Sequence, residues 1–406
     1  MDQDQSPLLG KHHNGRSEEI QQESTSSKAA AASSSSEAVE VAAQTVKEME
    51  VKYAAYMRHD MYGNWGMNSV PVLEKVKLLL ALLTLCPIRF CLLLFFLVLF
   101  YLICKVCTLR VVASSNDEGQ ESFAHMTGAR RAIVVRSGRF LARVMLFVFG
   151  FYNIHVDHRT PDRQLLHLGA AASSHERKDD EEEEEEEQFG AIVSNHVSYL
   201  DILYHMSASF PSFVAKRSVG KLPLVGLISK CLGCVYVQRE SKSSDFKGVS
   251  ALVSERLQAA YGDPTAPAVL LFPEGTTTNG EHLLPFKTGA FLAQTPVKPV
   301  ILKYPYKRFS PAWDTISGFR HLVILMCQFV NHMEVIQLPV YSPSEKELTD
   351  PKLYANNVRA QMALEGNLTM SDIGLYEKRI FHSALLRTRF PIAPAPEESF
   401  TRTQSN

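Results

Sequence analysis

The apolar run from Lys77 to Cys107 constrains this chain most, because so long a stretch of mainly apolar residues must be covered by a membrane or a core. A helix needs about 20 apolar residues to cross a bilayer, and the run is long enough. Its central part, FCLLLFFLVLFYLIC, is apolar on every side, which disfavours a core helix of a soluble protein. The sequence therefore predicts a membrane segment.

Two residues interrupt the run, Pro87 and Arg89, and they leave two interpretations open. In the first, Phe90–Leu109 crosses the membrane once and Arg89 snorkels to the interface, because a charge at mid-bilayer is costly. In the second, Leu78–Cys86 and Phe90–Cys104 form a hairpin that turns at Pro87. Both interpretations anchor the chain near its N-terminal region.

A second, shorter apolar segment, Phe140–Ile154, contains Arg143 and is too short to be a convincing span. Its length and charge favour an interfacial or re-entrant helix. The stretch before and into it is basic: Arg130, Arg131, Arg136, Arg139 and Arg143. Such a bias favours contact with anionic lipid headgroups.

Composition divides the chain into folded and unfolded regions. Residues 1–45 have too few large apolar side chains to fold alone. Seven consecutive glutamates, Glu181–Glu187, predict a solvated linker, since like charges repel. The predicted order is a disordered tail (1–45), a membrane-associated region (46–157), a disordered acidic linker (158–188), a folded domain (189–370) and a C-terminal tail (371–406).

Charge and cysteine content exclude some classes of function. The net charge of −1 gives no case for binding nucleic acid. The seven cysteines do not form a framework of the secreted type, and Cys231 and Cys234 have no second pair at zinc spacing. We therefore expect free thiols in a reducing, cytosol-facing domain, and no metal site.

From Gly190 to about Val340, apolar strands alternate with helical stretches, which predicts an α/β domain with a mostly parallel sheet flanked by helices. The predicted strands are Ala191–Val193, Ser212–Lys216, Cys234–Gln238, Ala268–Phe272, Val297–Tyr304 and Met333–Tyr341. The predicted helices are Leu200–Ala208, Pro223–Leu232, Asp245–Tyr261 and Phe286–Gln294, followed by a core or membrane-surface helix at Phe319–Val330.

The stretch AIVSNHVSYLDILY, Ala191 to Tyr204, carries the clearest chemical signal. The first residues favour a β-strand that ends at Ser194. His196 follows this strand, and Asp201 comes five residues after His196. Five residues on a helix separate two side chains by roughly 140°, so His196 must precede the helix for Asp201 to reach it. A His with a carboxylate partner can take a proton from a hydroxyl. The alternative is a capping His beside an unrelated surface Asp.

Three further blocks follow in order: GCVYVQR (Gly233–Arg239), FPEGTTTNG (Phe272–Gly280) and VKPVILKYP (Val297–Pro305). Together with NHVSYLD they resemble the signature of the membrane-bound glycerolipid acyltransferases. The resemblance covers about Gly190 to Tyr306. NHVSYLDILY, FPEGTTTNG and GRFLARVMLFVFGFY are similar to the lysophospholipid acyltransferase branch, and in particular to the plant lysophosphatidylethanolamine acyltransferases.

The resemblance implies an enzyme that transfers an acyl chain from acyl-CoA, a co-substrate, to the free hydroxyl of a lysophospholipid, without a cofactor. It implies His196 as general base, oriented by Asp201. It further implies a lipid bilayer as partner, and an endoplasmic reticulum membrane with the catalytic domain facing the cytosol. The candidate acceptor-binding residues are Asn195, Lys216, Arg239, Glu274, Gly275 and Thr276.

One residue departs from the family pattern. Much of the family has Arg directly after Glu-Gly-Thr, and this chain has Thr277. One phosphate-seeking cation is therefore missing, and a phosphate monoester needs more positive charge than a phosphodiester. We expect lysophosphatidylethanolamine or lysophosphatidylcholine to be preferred, with lysophosphatidic acid as a weaker acceptor, unless another cation such as Lys216 or Lys303 completes the seat.

Two other classes compete with acyl transfer. A lipid hydrolase would use a nucleophile elbow, and the chain has no Gly-x-Ser-x-Gly. A non-catalytic membrane scaffold could keep the same fold, but it would not need His196, Asp201, Arg239 and Glu274 together. A nucleotide-dependent kinase lacks the phosphate-binding loop motif.

Overall fold

The computed structural model describes residues 48, 50–64, 70–115, 121–160, 188–237, 243–263 and 265–389. The chain divides into two compact units, Met1–Ala54 and Ala55–Asn406, and everything below concerns the second. The predicted tail 1–45, most of the predicted linker 158–188 and the candidate residue Arg239 lie outside the described residues.

Ten helices and seven strands of the main sheet are described, each type numbered in chain order. The helices are α1 (Val72–Leu83), α2 (Leu85–Cys107), α3 (Gly128–Val148), α4 (Leu200–Ala208), α5 (Val225–Leu232), α6 (Ser243–Gly262), α7 (Gly318–Cys327), α8 (Glu345–Thr349), α9 (Pro351–Gly366) and α10 (Leu375–Arg389). The strands are β1 (Ile154–His158), β2 (Ala191–Ser194), β3 (Ser212–Lys216), β4 (Val235–Val237), β5 (Val269–Leu271), β6 (Val297–Lys303) and β7 (Met333–Gln337).

The main sheet has the strand order β1-β7-β6-β2-β5-β3-β4. The five strands from β6 to β4 run parallel, whereas β7 pairs antiparallel with β6 and parallel with β1. β2 lies in the middle of this order, and all four of its residues are buried. The predicted mostly parallel sheet is thus confirmed, and the first residues after β2 emerge at the centre of its carboxyl edge.

Helices cover both faces of the sheet. Successive side chains of a strand point to opposite faces, so neighbouring residues pack against different helix layers. Ile192 packs in one core with side chains of α2 to α5 and α7. Its neighbours Ala191 and Val193 pack in the other core, with α6 and α9. Burial on both faces explains why the strands read as continuous apolar runs instead of alternating ones.

One sequence prediction in this domain was wrong, and one strand of its sheet was not predicted. The predicted helix Phe286–Gln294 is only a 3₁₀ turn, Thr288–Ala290, because Gly289 and β-branched Thr288 disfavour a longer helix. The strand β1, Ile154–His158, was missed because its first residue was assigned to an interfacial helix. β1 pairs with β7, so the end of the predicted membrane-associated region forms an edge of the main sheet.

The apolar run forms α1 and α2, which are separated only by Thr84. The proposed turn at Pro87 was wrong: Pro87 lies in the first turn of α2, where a missing N–H costs no intrahelical bond. α2 is the one described helix that is long and apolar enough to cross a membrane, and much of its apolar surface is exposed.

The single-span interpretation supposed that Arg89 snorkels to the interface, and this was wrong. Arg89 is only 3% exposed and forms hydrogen bonds within the protein. Its guanidinium donates to the carbonyl oxygens of Met326 (3.0 Å), Gln328 and Phe329 (3.1 Å), and to the Tyr152 hydroxyl at 3.2 Å. These carbonyls end α7, where the helix dipole also favours a cation. Arg89 therefore ties the apolar helix α2 to the folded domain.

The second apolar segment forms α3, Gly128–Val148, which begins well before the predicted Phe140 and ends before Ile154. α3 packs against α2 and α4. Some arginine side chains of the basic stretch form hydrogen bonds with backbone carbonyl groups of the protein itself. For example, Arg131 donates to the carbonyl oxygen of Cys231 at 2.7 Å.

Replacement of Arg89 by Met should destabilise the protein, because the carbonyl groups at the end of α7 would lose their donor. We expect the free energy of unfolding to fall by about 1–3 kcal/mol, the cost of leaving buried polar groups unpaired. Thermal unfolding of the detergent-solubilised protein measures this. Lys105→Met is the matched control, since Lys105 is an exposed cation on the same helix. Equal melting temperatures for both variants would contradict the role of Arg89.

Candidate active site

His196 and Asp201 meet directly. β2 ends at Ser194, α4 begins at Leu200, and His196 lies in the loop between them, as its spacing from Asp201 predicted. His196 Nδ1 donates to Asp201 Oδ2 at 2.9 Å. The His196 side chain is 21% exposed, whereas that of Asp201 is fully buried.

The Asp201 carboxylate is held by four hydrogen bonds. Besides His196, Oδ2 accepts from the backbone N–H groups of Val197 (2.7 Å) and Ser198 (3.0 Å). Oδ1 accepts from the Tyr304 hydroxyl at 2.5 Å. Burial and the negative charge of Asp201 raise the pKa of Tyr304 well above its usual range, so Tyr304 stays a donor. This geometry fixes the imidazole with Nδ1 bound and Nε2 available.

Asn195 has a structural task at the start of the loop. Its side-chain amide pairs with the backbone of Leu302 in β6: Nδ2 donates to the carbonyl oxygen at 2.9 Å, and Oδ1 accepts from the N–H at 2.7 Å. Asn195 is 1% exposed. The amide thus continues the pairing of β2 with β6 by one residue and sets where His196 leaves the sheet.

Glu274 also holds the loop that carries His196. Its Oε1 accepts from the backbone N–H of His196 at 2.8 Å, and Oε2 accepts from that of Leu284 at 2.9 Å. Glu274 is 3% exposed, so these contacts account for it better than the substrate contact that the sequence indicated. Burial raises the pKa of Glu274 to about 8, against the two N–H donors, which lower it. At neutral pH the group adds little negative charge beside Asp201.

Two aromatic rings complete the surroundings of His196. Phe272 stacks on the imidazole with ring centroids 4.1 Å apart and an angle of 17° between the planes. His205 contacts the rings of Tyr204 and Phe272 edge-on, and burial lowers its pKa to about 4. A neutral His205 leaves the Asp201 charge to act on His196.

His196 lines a cavity of about 1880 Å³. Part of its wall is apolar and comes from α2, α3 and α4: Leu97, Phe100, Leu141, Ala142, Met145, Ile202, Leu203 and Met206. Among the described lining residues are five cations: Lys216, Lys287, Lys352, Lys378 and Arg379. The single lining carboxylate in the described chain, Asp314, is paired with Arg58 at 3.0 Å. The cavity therefore suits a ligand with an apolar chain and an anionic group.

The remaining predicted binding residues lie on the same cavity. Lys216 is exposed at the end of β3, and Gly275 and Thr276 follow β5. Gly275 has φ +72°, and a Cβ there would come within 2.6 Å of Lys287 Nζ. Only glycine accepts this turn and the close approach of that lysine.

Sequence reasoning missed three residues of the site: Phe272, Tyr304 and Lys378. The first two belong to the matching blocks, FPEGT and VKPVILKYP, so their position directly after a strand was an available signal. Lys378 lies on α10, about 100 residues beyond FPEGT and inside the predicted C-terminal tail, and no motif indicated it.

The chain is similar to known acyltransferases over most of its length. The family model described as "Acyltransferase" matches residues 177–303. The chain is 60% identical over 355 residues to the lysophospholipid acyltransferase LPEAT1 of Arabidopsis thaliana, with 84% of this chain and 89% of that protein covered. It is 32% identical over 302 residues to the human lysophosphatidylcholine acyltransferase 1, covering 74% of this chain but only about half (50%) of that protein.

Among solved structures, the chain is similar to the 1-acyl-sn-glycerophosphate acyltransferase PlsC from Thermotoga maritima. That match has 19% sequence identity and a TM-score of 0.36, and it covers 68% of this chain and 96% of that chain. On its high identity over most of its length, the chain belongs to the acyltransferase family, in the lysophospholipid acyltransferase branch.

Proposed function

We propose that this protein transfers an acyl chain from acyl-CoA to the free hydroxyl of a lysophospholipid, with His196 as general base. The observation that carries the proposal is the His196–Asp201 hydrogen bond at the wall of a cavity that is both apolar and cationic. The relatives named as lysophospholipid acyltransferases support the acceptor class.

In the proposed reaction, Nε2 of His196 takes the proton of the lysophospholipid hydroxyl as its oxygen attacks the thioester carbonyl. Asp201 holds the imidazole through Nδ1 and stabilises the imidazolium that forms. Collapse of the tetrahedral intermediate expels the thiolate of CoA, which takes the proton back from His196. The lipid hydroxyl is the nucleophile, so no acyl-enzyme is needed.

The apolar wall provides a seat for an acyl chain. Leu97 and Phe100 belong to α2, the helix that can cross a membrane, so the cavity reaches the apolar helix. We propose that lipid chains pass between bilayer and cavity along this helix. We also propose that the protein contacts the lipid bilayer of the endoplasmic reticulum. Its catalytic domain would face the cytosol, because acyl-CoA is made and held there.

Among acceptors, we propose a preference for lysophosphatidylethanolamine or lysophosphatidylcholine over lysophosphatidic acid. Thr277 still replaces the arginine of the family pattern, and its hydroxyl donates to the Trp313 carbonyl oxygen at 2.6 Å. No bidentate guanidinium is available from that position for a doubly charged monoester. Lys216, Gly275 and Thr276 remain candidate contacts of the acceptor, as does Arg239.

A lipid hydrolase is the second candidate, and the site argues against it. Hydrolysis through an acyl-enzyme needs a hydroxyl or thiol bonded to the base. In the described part of the chain, the hydrogen bonds of His196 go to Asp201, Glu274 and the Thr278 N–H, and none joins its Nε2 to a serine, threonine or cysteine.

His196→Ala removes the base and should lower kcat by about 10²–10⁴-fold, the usual contribution of general base catalysis. Release of CoA by wild-type and variant membranes, with lysophosphatidylethanolamine and acyl-CoA supplied, measures this. His332→Ala is the control, because His332 is exposed and away from the cavity. A variant that keeps more than a small fraction of wild-type turnover would refute the assignment of His196.

Tyr304→Phe deletes one hydrogen bond to Asp201 and leaves the ring in place. We expect kcat to fall at least about tenfold with little change in KM, since a bond to a charged group contributes about 1.5–3 kcal/mol. Tyr341→Phe is the matched control, because Tyr341 donates to Glu347 at 2.6 Å outside the cavity lining. It should lower the melting temperature without lowering kcat. Equal kcat losses in both variants would point to a general effect on folding.

The proposed orientation can be tested at Asn367, which begins the sequon Asn-Leu-Thr and is exposed at the end of α9. A domain in the cytosol cannot be glycosylated, so the membrane-expressed protein should keep its electrophoretic mobility after endoglycosidase treatment. A mobility shift that disappears in Asn367→Gln would show that the domain faces the lumen.

A further inference from the structure

The helix α10 presents a basic face to the cavity. Five of its residues line the wall: Leu375, Lys378, Arg379, His382 and Ser383. Relative to the first, they lie three, four, seven and eight positions along the helix, and such positions share one face. Two cations and an imidazole thus reach the cavity from a helix that contains no residue of the family blocks.

Lys378 has the most constrained position on this face. The residue is 7% exposed, and its Nζ donates to the carbonyl oxygen of Thr277 at 2.6 Å and to the Thr277 hydroxyl at 2.9 Å. An ammonium has three donors; besides these two bonds the Nζ lies 5.3 Å from the centroid of the Tyr56 ring, and its third donor forms no hydrogen bond within the described chain. Burial lowers the pKa of Lys378 to about 8, which leaves the group mostly charged at neutral pH. A buried cation at a cavity wall calls for an anion.

One turn further along, His382 provides an independent sign of a ligand. Its Nε2 is buried and has no hydrogen-bond partner among the residues that the structure describes. Buried polar atoms are rarely left unpaired, and a polar group of a bound molecule would satisfy this one. The unpaired nitrogen and the spare donor of Lys378 lie four residues apart on the same helix face.

The position of Lys378 favours one source of phosphate over another. Its partner, Thr277, precedes Thr278, whose N–H donates to the His196 carbonyl oxygen at 3.0 Å. In a lysophospholipid only a few bonds separate the phosphate from the reacting hydroxyl. In acyl-CoA the whole pantetheine arm separates the nearest phosphate from the thioester. A cation bonded to Thr277, whose neighbour Thr278 bonds to His196, therefore fits the acceptor better than CoA.

We propose that α10 forms the seat for the phosphate of the lysophospholipid acceptor, with Lys378 and Arg379 as its cations. This inference rests on the proposed function and identifies an acceptor subsite for it. At Thr277, where the family pattern has arginine, the ammonium of Lys378 supplies the positive charge from a distant part of the chain. The Lys378 ammonium is a point charge and does not offer the bidentate fork of the arginine in the family pattern.

The test compares Lys378→Met and Arg379→Gln in the full-length protein in lipid nanodiscs. We expect Lys378→Met to raise KM for lysophosphatidylethanolamine about tenfold, the scale of one charge-assisted hydrogen bond, while KM for acyl-CoA changes less than about twofold. Lys378→Arg should restore much of the loss. Arg379→Gln should raise the same KM about threefold at an unchanged melting temperature, because Arg379 is exposed.

Lys346→Met is the control, since Lys346 is an exposed cation outside the cavity lining. An unchanged KM for the lysolipid in both α10 variants would overturn the proposal. A rise in KM for acyl-CoA alone would also overturn it and assign the cations to the phosphates of CoA. A fall of kcat and melting temperature in Lys378→Met, with a normal KM in Arg379→Gln, would mean that Lys378 only holds the Thr277 loop.

A binding measurement separates this proposal from the proposed reaction. Lysophosphatidylethanolamine binding to the His196→Ala protein needs no turnover, and Lys378→Met added to that background should weaken it about tenfold. If wild type does not use acyl-CoA, the proposed reaction fails, but this binding comparison still decides the phosphate seat. Equal binding with and without Lys378 would overturn the seat even in an active enzyme.

Discussion

The site depends on the buried carboxylate of Asp201. A buried charge is stable only if its hydrogen-bonding capacity is met, and four donors from two parts of the chain, residues 196–198 and Tyr304, meet it here. Two of them are backbone N–H groups of the loop before α4, so the carboxylate shapes the loop that carries His196. Tyr304 approaches from the end of β6. The same interaction that orients the His196 imidazole therefore also fixes the loop and joins it to the sheet.

Other buried polar side chains also join neighbouring segments through hydrogen bonds to backbone groups. Asn195 joins the His196 loop to β6, and Glu274 joins it to the loop at Leu284. At the apolar helix α2, Arg89 joins that helix to the end of α7. In each case a buried polar group satisfies backbone atoms that no regular element satisfies. Residues that look catalytic by motif thus divide into one that is placed to react and several that hold it in place.

The sequence predicted the central strands and helices of the domain well, and it predicted β1 and the apolar helices less well. Ser212–Lys216 and Leu200–Ala208 were found at their observed bounds, because burial on both faces or one amphipathic face leaves a clear local pattern. β1 and the position of the helix break at Thr84 were not found. Both depend on which distant partner, β7 or α7, is available to cover the segment, and local periodicity does not encode partners.

By itself, the sequence determined the family, the parallel sheet and the contact of His196 with Asp201, since motif order and five-residue spacing leave few alternatives. Only the tertiary structure decided that Glu274 and Asn195 hold the His196 loop, and that α10 brings Lys378 to Thr277. Hydrogen-bond satisfaction and charge burial are properties of the packed chain. They bring together side chains about 100 residues apart, whereas a sequence pattern records only neighbours along the chain.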